Sequence, residues 1–231
     1  MNRSLLDDFA AVLDGLDWDV ALLQEAPPRW FGELARRTRS SGVRVLTSRN
    51  WWPWLQGALA DWNPDLLASS EGGSNQLLVR HPGRVAEHRR LTLARRPEQR
   101  RMQWARLELP GRGRVCVANL HASAGLARQA AVEVERAAEA AVDWSGPDPL
   151  VLGGDFNLRP ARDAELFERL RERFELGAPT APRAIDHLLV RGLRPVEPPR
   201  LLAPEKRETR EADGLRIRLS DHAPVVAAFV R

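Results

Sequence analysis

Short apolar runs, each closed or opened by a polar residue, recur along this chain and predict an alternation of strands and helices. Strand-like runs fall at residues 20–23, 43–47, 76–79, 85–93, 102–109, 115–120, 149–152, 184–190 and 225–230. Helical spacing joins Leu5, Phe9, Val12, Leu13 and Leu16 behind a cap at Ser4, with Asp7 and Asp8 in the first turn. Pro27-Pro28 opens a second helix through Trp30, Phe31, Leu34 and Ala35. A long amphipathic helix is predicted over 126–144, with Leu126, Ala130, Val134, Ala137, Ala138 and Ala141 on one face. Pro160 opens another helix through Leu166, Phe167 and Leu170. The runs between 76 and 120, punctuated by Gly83, Pro97 and Gly111-Arg112-Gly113, read as a meander of antiparallel strands. Residues 195–214 are rich in proline and charge and read as a long surface connection.

Composition narrows this picture. The 231 residues carry no Gly/Ser- or Pro-rich linker, so one domain spanning 1–231 is expected. The only lysine is Lys206, and the formal charge is a modest +4, but residues 84–114 hold ten arginines against three glutamates. Such an excess favours phosphate-bearing partners, while charged edge strands are also a defence against aggregation. Cys116, the single cysteine, lies inside an apolar run and excludes both a disulfide framework and a cysteine metal site. With no secretory pattern and no membrane-length apolar stretch, a cytoplasmic monomer is expected. Trp51, Trp52 and Trp54, with Leu55, Leu59, Trp62 and Leu66 at helical spacing, read as packing or as a stacking surface for a base, sugar or lipid.

The polar residues at the strand ends carry the chemistry. The apolar run 149–152 leads through Gly153 and Gly154 to Asp155 and Asn157, whose alternation points both side chains one way. A carboxylate beside an amide can activate water and hold a developing oxyanion, although a turn followed by a helix cap accounts for the same pair. Glu25 follows the strand at 20–23, His121 follows that at 115–120, Asp186 opens 184–190, and Asp221-His222 precedes the last strand. Three or more carboxylates and two histidines at one mouth suit metal-assisted hydrolysis: oxygen ligands for a hard cation, a base for water, and a carboxylate to orient that base. A serine triad lacks its nucleophile elbow, because neither Ser123 nor Ser220 has a Gly-x-Ser-x-Gly context.

Leu23-Gln24-Glu25, Asn119-Leu120-His121, Gly154-Asp155-Phe156-Asn157, Ile185-Asp186-His187-Leu188 and Ser220-Asp221-His222-Ala223-Pro224-Val225 resemble, in order, the motifs of the endonuclease/exonuclease/phosphatase (DNase I-like) superfamily. The resemblance implies an α/β fold, a four-layer α/β/β/α sandwich of two mixed sheets flanked by helices. It also implies hydrolysis of a phosphoester with Mg2+ or Mn2+, a phosphodiesterase or nuclease-like reaction being the leading expectation. Carried over to this sequence, Glu25 resembles the metal ligand, with Asp221 a candidate for the same cluster. His222 resembles the general base or phosphate-polarising histidine, oriented by Asp186. Asp155 resembles the residue that handles the attacking water, Asn157 the donor to the phosphoryl oxygen, and His121 the histidine near the leaving group. Asn75 sits where many members have a Gly-Asn turn and is a substrate-binding candidate.

No run matches the family's first strand, which ends in an asparagine beside the metal, so that strand is expected to be missing and Met1 to be an internal start. The substrate stays open between nucleic acid, a sphingomyelin-like headgroup and a small phosphoester, and a catalytically silent binding module on the same fold is the alternative from another class.

Overall fold

The computed structural model describes residues 5–47, 73–96, 98–210 and 216–231. The expected cap at Ser4 and the tryptophan-rich stretch from Trp51 to Leu66 lie outside the described residues. The chain order is α1 (Leu6–Asp14), β1 (Val20–Ala26), α2 (Trp30–Arg37), β2 (Ser40–Leu46), β3 (Ser74–Arg80), β4 (Arg84–Ala94), β5 (Arg100–Leu109), β6 (Gly113–His121), α3 (Ala127–Ser145), β7 (Leu150–Asp155), α4 (Ala164–Phe174), β8 (Asp186–Arg191), β9 (Arg194–Leu201), a 3-10 turn (Pro204–Arg207), β10 (Glu208–Arg210), β11 (Arg216–Arg218) and β12 (Val225–Val230).

Four layers follow from where the apolar residues point. A five-stranded mixed sheet runs in the order β4-β5-β6-β7-β8, with β6 and β7 parallel because the long helix α3 carries the chain back between them. A three-stranded antiparallel sheet runs in the order β1-β3-β2. Leu77 and Val79 of β3 meet Ala105, Leu107 and Val117 between the two sheets, whereas Leu78, one residue out of phase, packs with Ala10, Leu13 and Leu34 of α1 and α2. On the other side, Ala130, Val134, Ala137, Ala138 and Ala141 of α3 lie against Met102, Trp104, Cys116, Ala118 and Leu120. The small residues on α3 let it approach the sheet closely. Trp104 is fully buried there and donates its indole N–H to Ser145 Oγ at 3.0 Å.

The connection expected over 195–214 is instead partly strand. Arg194–Leu201 forms β9, paired antiparallel with β12 despite Pro195, Pro198 and Pro199. Prolines remove ladder donors, so such a strand is confined to an edge, and among the described residues β9 pairs only with β12. Likewise the helix expected to open at Pro160 begins at Ala164, after a turn. Among the described residues, β1 pairs only with β3 and β12 only with β9, so each keeps one edge without a ladder partner, and no strand precedes α1.

Candidate functional site

Strand register builds the site. His121 at the end of β6 pairs with Asp155 at the end of β7, and Asp155 pairs with Asp186 at the start of β8. Three functional groups therefore stand in one row across three neighbouring strands. Gly154 makes this possible: its φ is +128°, and a Cβ there would lie 2.0 Å from Leu120 O, so no other residue fits without moving β6. Gly153 serves the sheet packing, since a Cβ on it would press within 2.8 Å of Leu22 Cδ1 from the facing sheet.

Asp155 is 6 % exposed. Its Oδ1 accepts the backbone N–H of Asn157 at 2.8 Å and its Oδ2 the Asn157 amide at 3.2 Å. Asn157 sits at φ +54° and also donates Nδ2–H to Ala122 O at 3.0 Å. The turn expected of this pair is present, and it fixes the Asp155 carboxylate in the row with His121 and Asp186. Burial, then the Asp186 charge, push Asp155 up to about 6, against the opposing pull of the Asn157 N–H and His222.

His222 lies in the loop before β12 and donates Nδ1–H to Asp186 Oδ2 at 2.9 Å, since a carboxylate can only accept. That hydrogen bond is the largest reason its imidazole is pushed up to about 9, more than offsetting its partial burial. The remaining nitrogen, Nε2, is left as the group that can meet a ligand. His187, the neighbour of Asp186, is structural: it is buried, contacts Leu158 O through Nε2 at 3.1 Å and packs edge-on against Phe156 and Phe167.

His121 is 5 % exposed and is held by a residue that sequence reasoning did not single out. Arg100 Nη1 lies 3.0 Å from His121 Nδ1. A guanidinium only donates, so Nδ1 is the acceptor and the imidazole proton sits on Nε2, which lies 3.4 Å from Asp155 Oδ2. Burial first, then the Arg100 charge, drive the His121 pKa down to about 3, which keeps the ring neutral. Nothing in the arginine-rich run distinguishes Arg100 beforehand; only the fold does.

The other expected residues are placed less centrally. Glu25 sits in an irregularity between Leu23 and Ala26 with φ +55°, and a break of this kind turns a side chain out of the ladder. Its side chain is 71 % exposed and its Oε1 is 3.7 Å from His121 Nδ1. Asn75 is fully buried and donates to Arg101 O at 2.9 Å. Asp221 is exposed, and its backbone carbonyl accepts from Arg207 at 2.5 Å. Among the described residues, the group able to hold a metal ion is Asp155, Asp186 and His222, whose ligand atoms lie within 4.8 Å of one another. Glu25 and Asp221 are outside that group.

The model of the endonuclease/exonuclease/phosphatase family matches residues 2–222. The chain belongs to this family. Family folds recur among solved structures at low identity. A mannosyl-6-phosphatase of Bacteroides thetaiotaomicron is 14 % identical with a TM-score of 0.71, the match covering 98 % of this chain and 90 % of that one. The human Nocturnin catalytic domain is 18 % identical with a TM-score of 0.66 over 91 % and 80 % of the two chains. D. rerio TDP2, complexed with a single-strand DNA product, is 15 % identical with a TM-score of 0.63 over 98 % and 90 %. At these identities the likeness establishes the DNase I-like fold and nothing finer. No curated protein matches the sequence. Within this family member, no helix among the described residues is long and apolar enough to cross a membrane.

Proposed function

We propose that this chain hydrolyses phosphoesters with the help of a divalent cation such as Mg2+ or Mn2+, phosphodiesters of the nuclease type being the leading substrate class. The observation that carries this reading is the row His121, Asp155, Asp186 with His222 joined to its end. Hard oxygen donors from two carboxylates suit such an ion, which tolerates one or two protein carboxylates and fills its remaining positions with water and substrate oxygens. The burial and the Asp186 charge that push Asp155 up to about 6 would be offset by a cation held between the two carboxylates.

A cation held by the carboxylates of Asp155 and Asp186 would supply polarisation of a phosphoryl oxygen and offset the charge that develops there. The residues of the chain do the rest. Asp155, held by the Asn157 N–H donors, orients a water and accepts its proton as the water attacks in line with the leaving group. Both Asn157 amide hydrogens are engaged, by Asp155 and by Ala122 O, so we assign Asn157 to holding Asp155 rather than to the phosphoryl group. His222, charged through its bond to Asp186, presents Nε2–H to a phosphoryl oxygen. His121, neutral with its proton on Nε2, fixes the far side of Asp155. Glu25 and Asp221 remain candidates for completing the metal sphere.

Turnover of bis(p-nitrophenyl) phosphate, p-nitrophenyl phosphate, oligonucleotides and sphingomyelin, each with Mg2+, Mn2+ or EDTA, tests this. The expected result is cation-dependent hydrolysis that His222→Ala lowers by about 10²–10⁴-fold with the fold intact. Binding without turnover of any ester under every cation would make the chain a binding module instead.

A further inference from the structure

Most arginines of β4 and β5 have acidic partners: Arg84 pairs with Glu108, Arg89 with Glu87, Arg106 with Glu87 and Asp148, and Arg100 with Glu98. Arg90, Arg95 and Arg101 do not pair with any carboxylate among the described residues. Their placement is set by register. Arg90 pairs with Gln103 and Thr92 with Arg101, so these side chains share the face of β5 that looks toward the smaller sheet. The pairing of β5 with β6 ends at Met102↔Leu120, and the next step along both strands brings Arg101 alongside His121. Arg101 is half-buried; one guanidinium N–H reaches Leu46 O at 3.2 Å, and its Nε is buried without a partner among the described residues. Arg90 and Arg95 are exposed next to it, close enough that both charges weigh against its own, after burial, which weighs most. Three neighbouring cations with no carboxylate beside them among the described residues, one of them partly desolvated, form a costly arrangement that a bound anion would relieve.

Resting on the hydrolase reading above, we propose that Arg90, Arg95 and Arg101 form a second anion-binding position beside His121, which takes a phosphate of the substrate other than the one being hydrolysed. The substrate class is therefore a phosphoester carrying at least two phosphates. A neighbouring phosphate of a nucleic-acid strand and the second phosphate of a small bisphosphate present the same chemistry. Guanidinium forks suit either, because they bond phosphate oxygens in pairs.

The test compares ligands that differ by one phosphate: TpT against pTpT for the nucleic-acid source, and a sugar monophosphate against its bisphosphate for the small-molecule source. Wild type is expected to favour the two-phosphate member of one pair, in kcat/KM and in binding measured by fluorescence anisotropy competition. The double variant R90Q/R101Q should reduce that preference about tenfold, and the salt dependence of binding should become shallower by about one to two powers of the salt concentration. R171Q, on the outer helix, serves as the control and should leave the preference unchanged. An equal preference in wild type and R90Q/R101Q, or none in wild type for either pair, overturns the proposal. Loss of all turnover while the binding preference still depends on these arginines would refute the hydrolase reading and leave the anion position standing.

Discussion

Replacing Glu133 by Gln should disturb the site from a distance. Glu133 lies on the buried side of α3, 2 % exposed, and its carboxylate clamps the loop that follows His121. Oε2 accepts Ser123 N–H at 2.7 Å, while Oε1 accepts Ser123 Oγ at 2.7 Å and Gln129 Nε2 at 2.8 Å. Ala122, one residue before the clamp, bonds Asp155 O through its N–H and Asn157 Nδ2 through its carbonyl. Glutamine keeps one acceptor and turns the other into a donor, so whichever way the amide is set, one Ser123 donor faces an N–H. Stranding one buried donor costs about 1–3 kcal/mol, and weakening the other bonds from charged to neutral adds roughly 1 kcal/mol. A total near 3 kcal/mol predicts a fall in Tm of about 6–12 °C for a chain of this size. Thermal melts by circular dichroism read the first effect, and amide hydrogen exchange over residues 121–126 reads the second, which should quicken in the variant. A Tm within about 2 °C of wild type, with exchange unchanged, would refute the clamp.

Three further outcomes are expected. Gly154→Ala should cost more than about 3 kcal/mol, because it combines a left-handed backbone with a collision against Leu120 O; a denaturant midpoint equal to wild type would remove the collision from the account. In the absence of divalent cations, the Asp186–His222 pair should stabilise fully below pH about 6.5 and lose that contribution as pH rises toward about 9, since the folded pKa is raised; Asp186→Asn should flatten this slope in urea melts taken across that range. Asp155 works in the same sense at lower pH, its pKa being raised from 3.8 to about 6, so the folded chain holds the proton more tightly and stability should fall as pH rises through that window. Asp155→Asn should abolish the fall and stabilise the cation-free protein above pH about 6, and a variant no more stable than wild type there would count against the buried, strained carboxylate.

How much of this was legible beforehand depended on whether local pattern or register decided it. The strands, the four helices among the described residues and the convergence of His121, Asp155, Asp186 and His222 follow from apolar runs ending in polar residues. The surface connection expected at 195–214 failed because prolines read as loop formers, whereas β9 tolerates them at an edge with one partner. Glu133 left a faint signal: it stands three residues after Ala130 and four before Ala137, at a buried position of α3, where a carboxylate requires partners. Arg100 and Arg101 left none. Adjacent in sequence and alike in type, they separate only because one reaches His121 and an acid while the other turns toward the facing sheet.

The position of the crevice follows from a change in polarity along the strands that face each other. On β1 the residues turned toward the opposite sheet run Val20, Leu22, then Gln24; on β3 they run Val79, Leu77, then Asn75. On β5 the series is Leu107, Ala105, Gln103, Arg101, and on β6 it is Val115, Val117, Asn119, His121. Each strand thus changes from apolar to polar near the same depth, with successive positions about 6–7 Å apart along an extended chain. Gln24 Nε2 donates to Asn119 Oδ1 at 2.7 Å, and Asn119 Nδ2 donates to Leu23 O and Gln76 O, which ties the two sheets at the boundary. Beyond it, Asn75 Oδ1 and both amide atoms of Gln103 are buried without protein partners among the described residues. Buried groups of this kind are ordinarily met by water. The apolar half of the interface holds the sheets together, and the polar half leads along the strands to the row that ends in His222.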